Sequence, residues 1–245
     1  MKKFIAVCLC AGALIALLGG CGTIDSEPSA EEKLAHIKSS EDYPAILVET
    51  AEKCPQTIDY VYAYPEKHDK CFDIDLSAEA HGGSVPLFIQ WDERWGYEPY
   101  GSGFIGTSGC GPTCLSMAAV YLSKNAAFSP LYVARMAEQY GYCVPGNGSS
   151  WTLIGAGSAR LGLTARELPL WEQSMKNALD DGAVLILALG PGDFTSSGHF
   201  IVVTGYTDGG FSVNDPNSRE NSSRLWSYGR LASQISNLWS LSAAD

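Results

Sequence analysis

One cysteine, Cys110, lies between two glycines at the predicted start of a helix, in Gly109-Cys110-Gly111-Pro112-Thr113-Cys114. The glycines remove steric cover from its sulfur and allow close approach of a ligand. Pro112 suits a first helical turn, and the apolar residues that follow predict a helix over residues 110–123. The unpaired N–H groups and the dipole of a helix N-terminus favour a thiolate, which is the nucleophilic form. The alternative is that these small residues serve packing at a tight turn.

His199 is the candidate base for this thiol. It is the only histidine of residues 85–245, since His36, His68 and His81 all precede that range. It follows the glycine-containing loop 190–198 and begins a predicted apolar strand, a position that suits a general base beside a cleft. A strand-end histidine satisfied by solvent is the alternative.

A base of this kind needs a third group that fixes its tautomer. Asn214 and Asp215 end the strand that follows His199, and a hairpin between the two strands would bring them back to the histidine. We expect Asp215 to accept from the imidazole, with Asn214 as the alternative, because alternation along a strand allows only one of them to face His199. Asp215 could instead cap the following turn.

Acyl transfer also requires donors that point at the developing oxyanion. The backbone N–H of Cys110 is available at the helix start. Gln90, at the end of a predicted strand, could supply a side-chain amide as the second donor.

Four segments in this order resemble the C39-like, bacteriocin-processing type of cysteine peptidase, a branch of the papain-like fold. They are Gln90-Trp91-Asp92, residues 109–117, Gly198-His199-Phe200-Ile201-Val202 and Val213-Asn214-Asp215-Pro216. The resemblance covers about residue 85 to the end. It implies Cys110 as nucleophile, His199 as base, Asp215 as the orienting residue and Gln90 at the oxyanion hole.

The chain departs from the pattern of that family in two respects. The classical members are cytosolic domains of peptide exporters that cut leader peptides after a double glycine, whereas we expect the domain here to be exported and to have no transporter attached. The glycine-rich loop 91–109 also lengthens the separation between Gln90 and Cys110.

The predicted elements place helices first and an antiparallel sheet afterwards, which indicates an α+β fold of the papain-like type. In the N-terminal part we expect a helix from about Ser40 and a second one that Pro65 ends. The other predicted helices cover 110–123, 130–141, 150–161, 171–181 and 231–237. Strands are predicted over 85–90, 183–189, 199–206 and 210–214 and near Leu238.

Composition excludes some classes of function. The chain of 245 residues has 46% hydrophobic and 18% charged residues, too few charges for a disordered protein. Its net charge of −11 repels phosphate backbones, so we expect no nucleic-acid partner. The cysteine and histidine spacings do not suit a zinc site, and no phosphate-binding loop is present, so neither metal nor cofactor is expected.

The first twenty residues are typical of a lipoprotein signal. Lys2 and Lys3 precede an apolar run of about fifteen residues, which is short for a membrane span. The run ends in Leu18-Gly19-Gly20-Cys21, which resembles the lipobox of bacterial lipoproteins. We therefore expect acylation of Cys21 and a protein anchored at the extracytoplasmic face of a bacterial membrane; an uncleaved anchor or an ordinary secretory signal is the alternative.

The predicted organisation is a signal over 1–20, a tether over 21–39, a small helical segment with a linker over 40–84, and the peptidase domain over 85–245. Outside the cytosol thiols tend to pair. We expect Cys54 to bond Cys71; Cys114 and Cys143 either pair or remain inert thiols, and Cys110 stays free.

Two classes of function remain. The first is a membrane-anchored thiol peptidase or amide hydrolase whose substrate is a peptide or protein, including a cell-wall peptide. The second is a non-catalytic surface module that binds peptides or cell-wall fragments through the aromatic loop 91–100 and Trp151. A cell-wall hydrolase of the NlpC/P60 group ranks below both, because that group has an Asp-Cys-Ser-Gly context and a second histidine.

Overall fold

The computed structural model describes residues 27–244, so the signal segment and Cys21 lie outside the described residues. Twelve α-helices are found in that range: α1 Ala30–Ser39, α2 Ala45–Lys53, α3 Ile58–Tyr62, α4 Tyr64–Lys67, α5 Ser77–Ala80, α6 Ile105–Ser108, α7 Cys110–Ser123, α8 Pro130–Gln139, α9 Thr152–Gly155, α10 Glu172–Asp180, α11 Arg219–Ser222 and α12 Tyr228–Ala232. Two 3₁₀ helices cover Pro55–Thr57 and Gly157–Leu161. None of the helices in residues 27–244 is long and apolar enough to cross a bilayer.

The same residues form ten strands: β1 Pro99–Tyr100, β2 Gly103–Phe104, β3 Cys143–Val144, β4 Gly148–Ser149, β5 Leu163–Glu167, β6 Val184–Leu189, β7 His199–Thr207, β8 Gly210–Asn214, β9 Leu225–Trp226 and β10 Ile235–Ala243. Six of them form one antiparallel sheet in the order β5-β10-β6-β7-β8-β9, and the other four form two small hairpins. The predicted α+β class is confirmed.

The sheet is buried on both faces at its centre. All six residues of β6 are buried. Successive side chains of a strand point to opposite faces. Accordingly, Ile186 packs in the core that contains helix α7, whereas Leu187 packs in the core that contains Met175 of α10. The sheet therefore holds α7, and with it Cys110, against the start of β7.

Helices α1 to α4, residues 30–67, form what we call the N-terminal helical unit. The tether predicted for 21–39 is wrong from Ala30 onward, because α1 occupies its second half. Ser29 and Glu32 form a capping box, in which each side chain accepts from the backbone of the other residue. Ile37 is fully buried, so the apolar residues of this segment contribute to the core of the unit.

Four predicted elements differ from the structure, and one of them, the helix predicted over 150–161, is divided into α9 and the 3₁₀ helix Gly157–Leu161. Pro65 was expected to end a helix, but it lies in the first turn of α4, where its missing N–H costs no hydrogen bond. Residues 85–90 are irregular, because Pro86 has no N–H to donate to a ladder and its carbonyl accepts from Asn214. The predicted last helix is shorter, and β10 replaces its second half with a nine-residue strand between β5 and β6.

The predicted disulfide between Cys54 and Cys71 is absent, since all five cysteines within residues 27–244 are free thiols. Cys54 is the C-cap of α2, and its Sγ lies 3.9 Å from the carbonyl oxygen of Asn217. Cys71 is exposed in the segment after α4, which has no regular structure. Cys114 and Cys143 are also unpaired, and burial raises the pKa of each of these two thiols.

Candidate active site

Cys110 is the first residue of α7, and Gly109 is the N-cap. The predicted helix over 110–123 is confirmed. The thiol is half-buried, and the backbone N–H groups of Gly111 and Phe200 point toward its sulfur. The first N–H groups of a helix have no intrahelical partner, so this end of α7 presents donors and positive potential around the sulfur.

The glycines beside Cys110 allow close packing of neighbouring segments. A Cβ on Gly109 would lie 2.5 Å from the carbonyl oxygen of Ile105 in α6. A Cβ on Gly111 would lie 2.5 Å from Oγ of Ser149 in β4. The absence of a side chain at these two positions therefore lets α6 and the β3–β4 hairpin approach the first turn of α7 closely.

Replacing Gly111 with alanine is expected to lower the free energy of unfolding by ~1–3 kcal/mol, because the β3–β4 hairpin must move away from α7. Thermal or urea unfolding measures the effect. Gly229→Ala is the matched control: a Cβ there meets nothing within 4 Å, and alanine favours the helix. Equal stability of Gly111→Ala and the wild type would contradict the packing argument.

His199 is the first residue of β7 and is 8% exposed. Its Nε2 lies 2.7 Å from Oδ1 of Asp215. The ring also interacts with the thiol of Cys110. The expected proximity of His199 to Asp215 is confirmed, and the structure brings the thiol, the imidazole and the carboxylate into one continuous chain of contacts.

Asp215 follows the end of β8 and is 1% exposed. Its Oδ1 also accepts from the backbone N–H of Asn217 at 2.9 Å, and its Oδ2 accepts from Nδ2 of Asn221 at 2.8 Å. Asn214 turns away, because its Nδ2 donates to the carbonyl oxygens of Val85 and Pro86. Of the two candidates that the sequence left open, Asp215 is the one that faces the histidine.

The charges of these three residues favour an ion pair. Burial raises the pKa of the Cys110 thiol, but the hydrogen bond and the charge of His199, with two backbone N–H groups, bring this pKa below its ordinary value. Burial lowers the pKa of His199, but the charge of Asp215 and hydrogen bonds to Asp215 and Cys110 raise it to about 10. The arrangement therefore favours the pair of thiolate and imidazolium over the neutral pair.

Gln90 is 4% exposed and lies between two parts of the site. Its backbone N–H donates to the carbonyl oxygen of Pro216 at 2.8 Å, next to Asp215. Its Nε2 donates to the carbonyl oxygen of Gly106 at 3.0 Å, four residues before Cys110. Since an amide nitrogen carries two hydrogens, Nε2 keeps a second donor after it has bonded Gly106.

The residues that support these groups carry little signal in the sequence and were not predicted. Asn217 and Asn221 bind the carboxylate of Asp215, and the sequence signal for them is a polar cluster after Pro216. Tyr100 is fully buried, and its hydroxyl lies 2.6 Å from Oγ of Ser149, beside Gly111. No pattern connects positions 100 and 149, since the pair forms only when β4 folds onto α7.

No group of three or more histidine, cysteine, aspartate or glutamate side chains in residues 27–244 could hold a metal ion.

Comparison with known proteins gives one family. The Peptidase_C39 like family matches residues 83–243. No curated protein matches the chain.

Two solved structures are similar to part of the chain. One is the peptidase domain of Streptococcus ComA, a bifunctional ABC transporter involved in a quorum-sensing pathway, with 20% identity and a TM-score of 0.47 over 66% of this chain and 99% of that one. The other is a C39-like peptidase from Bacillus anthracis, with 15% identity and a TM-score of 0.36 over 70% of this chain and 98% of that one. On the match over residues 83–243, which confirms the resemblance seen in the sequence, this chain belongs to the C39-like peptidase family.

Proposed function

We propose that the protein is a thiol peptidase in which Cys110, His199 and Asp215 form the catalytic triad. The observation that carries this proposal is the buried 2.7 Å contact between His199 and Asp215 together with the interaction of His199 with Cys110 at the start of α7. A peptidase domain implies a peptide or protein substrate, and membership of the C39-like family supports that class.

The arrangement supports acyl transfer in two steps. The thiolate of Cys110 attacks the carbonyl carbon of the scissile amide, and the carbonyl electrons move to oxygen. His199 as imidazolium gives its proton to the departing amine, which leaves a thioester on Cys110. Neutral His199 then takes a proton from water, whose oxygen attacks the thioester and releases the acid and the thiolate. Asp215 holds Nε2–H throughout, so that Nδ1 is the atom available to the thiol and the substrate.

The oxyanion of each tetrahedral intermediate needs donors at the start of α7. The backbone N–H of Cys110 is one, and the second hydrogen of Gln90 Nε2 is the other. The hydrogen bond from Gln90 to Gly106 fixes the plane of the amide, so the donor requires no rearrangement when charge develops.

The proposed location is the extracytoplasmic face of a bacterial membrane, with acyl chains on Cys21. Support comes from the sequence alone: the apolar run ends in Leu18-Gly19-Gly20-Cys21. The acidic chain gains nothing from anionic lipid headgroups, so attachment would depend on the acyl chains.

The alternative function is a surface module that binds peptides without hydrolysing them. The aromatic loop 91–100 was one of the two features that favoured it, and most of its aromatic side chains are buried. Within the aromatic loop 91–100, Trp95 and Tyr100 are fully buried and Tyr97 is 6% exposed, so these three rings stabilise the core. Trp151 remains 48% exposed and could contact a ligand, but the charges around Cys110 favour turnover.

Alkylation by iodoacetamide as a function of pH tests the proposed nucleophile. Since the pKa of Cys110 is lowered and those of Cys54, Cys114 and Cys143 are raised, peptide-resolved mass spectrometry should find Cys110 alkylated ahead of these three at about pH 6. Peptide hydrolysis should rise over the same pH range as the thiolate forms. It should fall again as His199 loses its proton near its pKa of about 10. No preferential alkylation of Cys110 at neutral pH would favour the binding module.

A further inference from the structure

We propose that the N-terminal helical unit positions the triad, and that Gln56 is the residue through which it holds Asp215. The unit lies before residue 83, outside the part of the chain that matches the family. This inference rests on the proposed function of Asp215, and the experiment below separates the two.

The main contact is made by one turn of the chain. Nε2 of Gln56 donates to Oγ of Ser218 at 3.1 Å, and its Oε1 accepts from the backbone N–H of Arg219 at 3.0 Å. The thiol of Cys54 faces the carbonyl oxygen of Asn217 at 3.9 Å. Two residues of the unit thus contact three consecutive residues of the loop after Pro216.

That loop in turn holds the carboxylate. The backbone N–H of Asn217 donates to Oδ1 of Asp215, and the backbone N–H of Ser218 donates to the backbone carbonyl oxygen of Asp215 at 3.2 Å. Oγ of Ser218, which receives the hydrogen bond from Gln56, also accepts from the backbone N–H of Asn221 at 3.1 Å. Asn221 binds Oδ2 of Asp215. Gln56 is therefore connected through Ser218 and Asn221 to Oδ2 of the carboxylate, and it holds Ser218 next in the chain to Asn217, which binds Oδ1.

Gln56 is itself held rigidly. It is the middle residue of the 3₁₀ helix Pro55–Thr57, which has proline in its first turn. The hydroxyl of Thr57, a fully buried residue, donates to the carbonyl oxygen of Cys54 at 2.7 Å. A side chain on such a fixed turn loses little additional freedom when it binds, so its hydrogen bonds can restrain a loop.

The same unit reaches the Gln90 side of the site. The hydroxyl of Tyr60 donates to the carbonyl oxygen of Gly96 at 2.7 Å, which also accepts from the N–H of Gly106 at 2.9 Å. The carbonyl oxygen of Gly106 accepts from Gln90. A Cβ on Gly106 would lie 2.4 Å from the hydroxyl oxygen of Tyr60, so the glycine permits this contact. The unit therefore supports both groups that flank Cys110 and His199.

Replacing Gln56 with alanine in the full chain tests the positioning role. Without Gln56 the loop 217–219 can move, and Asp215 then supports the imidazolium of His199 less well. The pKa of His199 falls and that of Cys110 rises. We expect the pH midpoint for iodoacetamide alkylation of Cys110 to move to higher pH, and kcat for peptide hydrolysis to fall about tenfold with little change in KM.

Two further variants make the result specific. Gln173→Ala removes an exposed glutamine of α10, which is bonded only to Asn177 one turn along the same helix, and should behave as the wild type. Gln56→Glu keeps two acceptors, for Arg219 N–H and for the hydroxyl of Ser218, and should restore most of the lost activity. Folding of all variants is compared by thermal unfolding.

The possible results distinguish the positioning role of Gln56 from the proposed function of the triad. If wild-type Cys110 is not preferentially alkylated near neutral pH, the proposed function fails. If wild-type Cys110 is preferentially alkylated but the midpoint of Gln56→Ala is unchanged, the positioning role fails while the proposed function stands. A loss of activity that is not accompanied by a shifted midpoint, or that Gln56→Glu does not reverse, would also overturn the positioning role.

Discussion

Cys110→Ala is expected to abolish peptide hydrolysis, with a loss of kcat of about 10³-fold or more. The thiolate is the only group at the start of α7 that can form the covalent intermediate, and neither His199 nor Asp215 can replace it. Alanine fits the site without strain, since it adds no atom to the position and favours the helix. The variant should therefore fold and remain able to bind substrate.

A mixed peptide library analysed by mass spectrometry measures the loss, because it requires no knowledge of the preferred bond. Cys71→Ala is the matched control, since it removes an exposed thiol outside the site and should leave turnover unchanged. Thermal unfolding of Cys110→Ala should show a fold as stable as the wild type. Unchanged turnover of Cys110→Ala would refute the thiol peptidase.

Much of the fold could be predicted where the pattern is local. The helix over 110–123 has proline in its first turn and a continuous apolar stretch, and the strands around residues 184–214 are apolar runs separated by glycine turns. Of β10 only a short strand near Leu238 was predicted, because its Ser236-Asn237-Leu238-Trp239-Ser240 stretch has few such signals; it extends to nine residues because β6 pairs with residues 235–241 and β5 with residues 239–243. The partners of a strand about fifty or more residues away cannot be recognised from its local sequence.

In the candidate site, too, contacts between residues close in sequence could be predicted and contacts between distant residues could not. His199 and Asp215 were connected by the hairpin, whose short turn brings residues sixteen apart in sequence together. Gln56 lies 162 residues from Ser218, and only the folded N-terminal helical unit connects them. The predicted disulfide is wrong for a related reason. Cys71 is near Cys54 in sequence, whereas the fold places Cys54 against Asn217, which is far from it in sequence.

Asp215→Asn is expected to lower kcat/KM by about 10²- to 10³-fold while the fold is kept. The amide has the shape of the carboxylate but lacks its charge. Oδ1 can still accept from His199 and Asn217, but an NH₂ group then faces Nδ2 of Asn221, and two donors meet where a donor and an acceptor met before. The loss of charge also removes the cause that is mainly responsible for the raised pKa of His199.

The pH dependence separates this electrostatic role from a structural one. A lower pKa of His199 means that imidazolium is lost at lower pH, so the alkaline limb of kcat should move down from its wild-type position near 10. The thiolate of Cys110 then loses its cationic partner, and the midpoint of its alkylation should move up. Asp180→Asn, which changes an exposed carboxylate bonded to Tyr206, is the matched control and should leave both the alkaline limb of kcat and the alkylation midpoint in place. An amide that merely loosened the loop could lower kcat without moving the alkaline limb of kcat down or the alkylation midpoint of Cys110 up. If neither of them moves in Asp215→Asn, Asp215 is a structural residue and His199 acts without it.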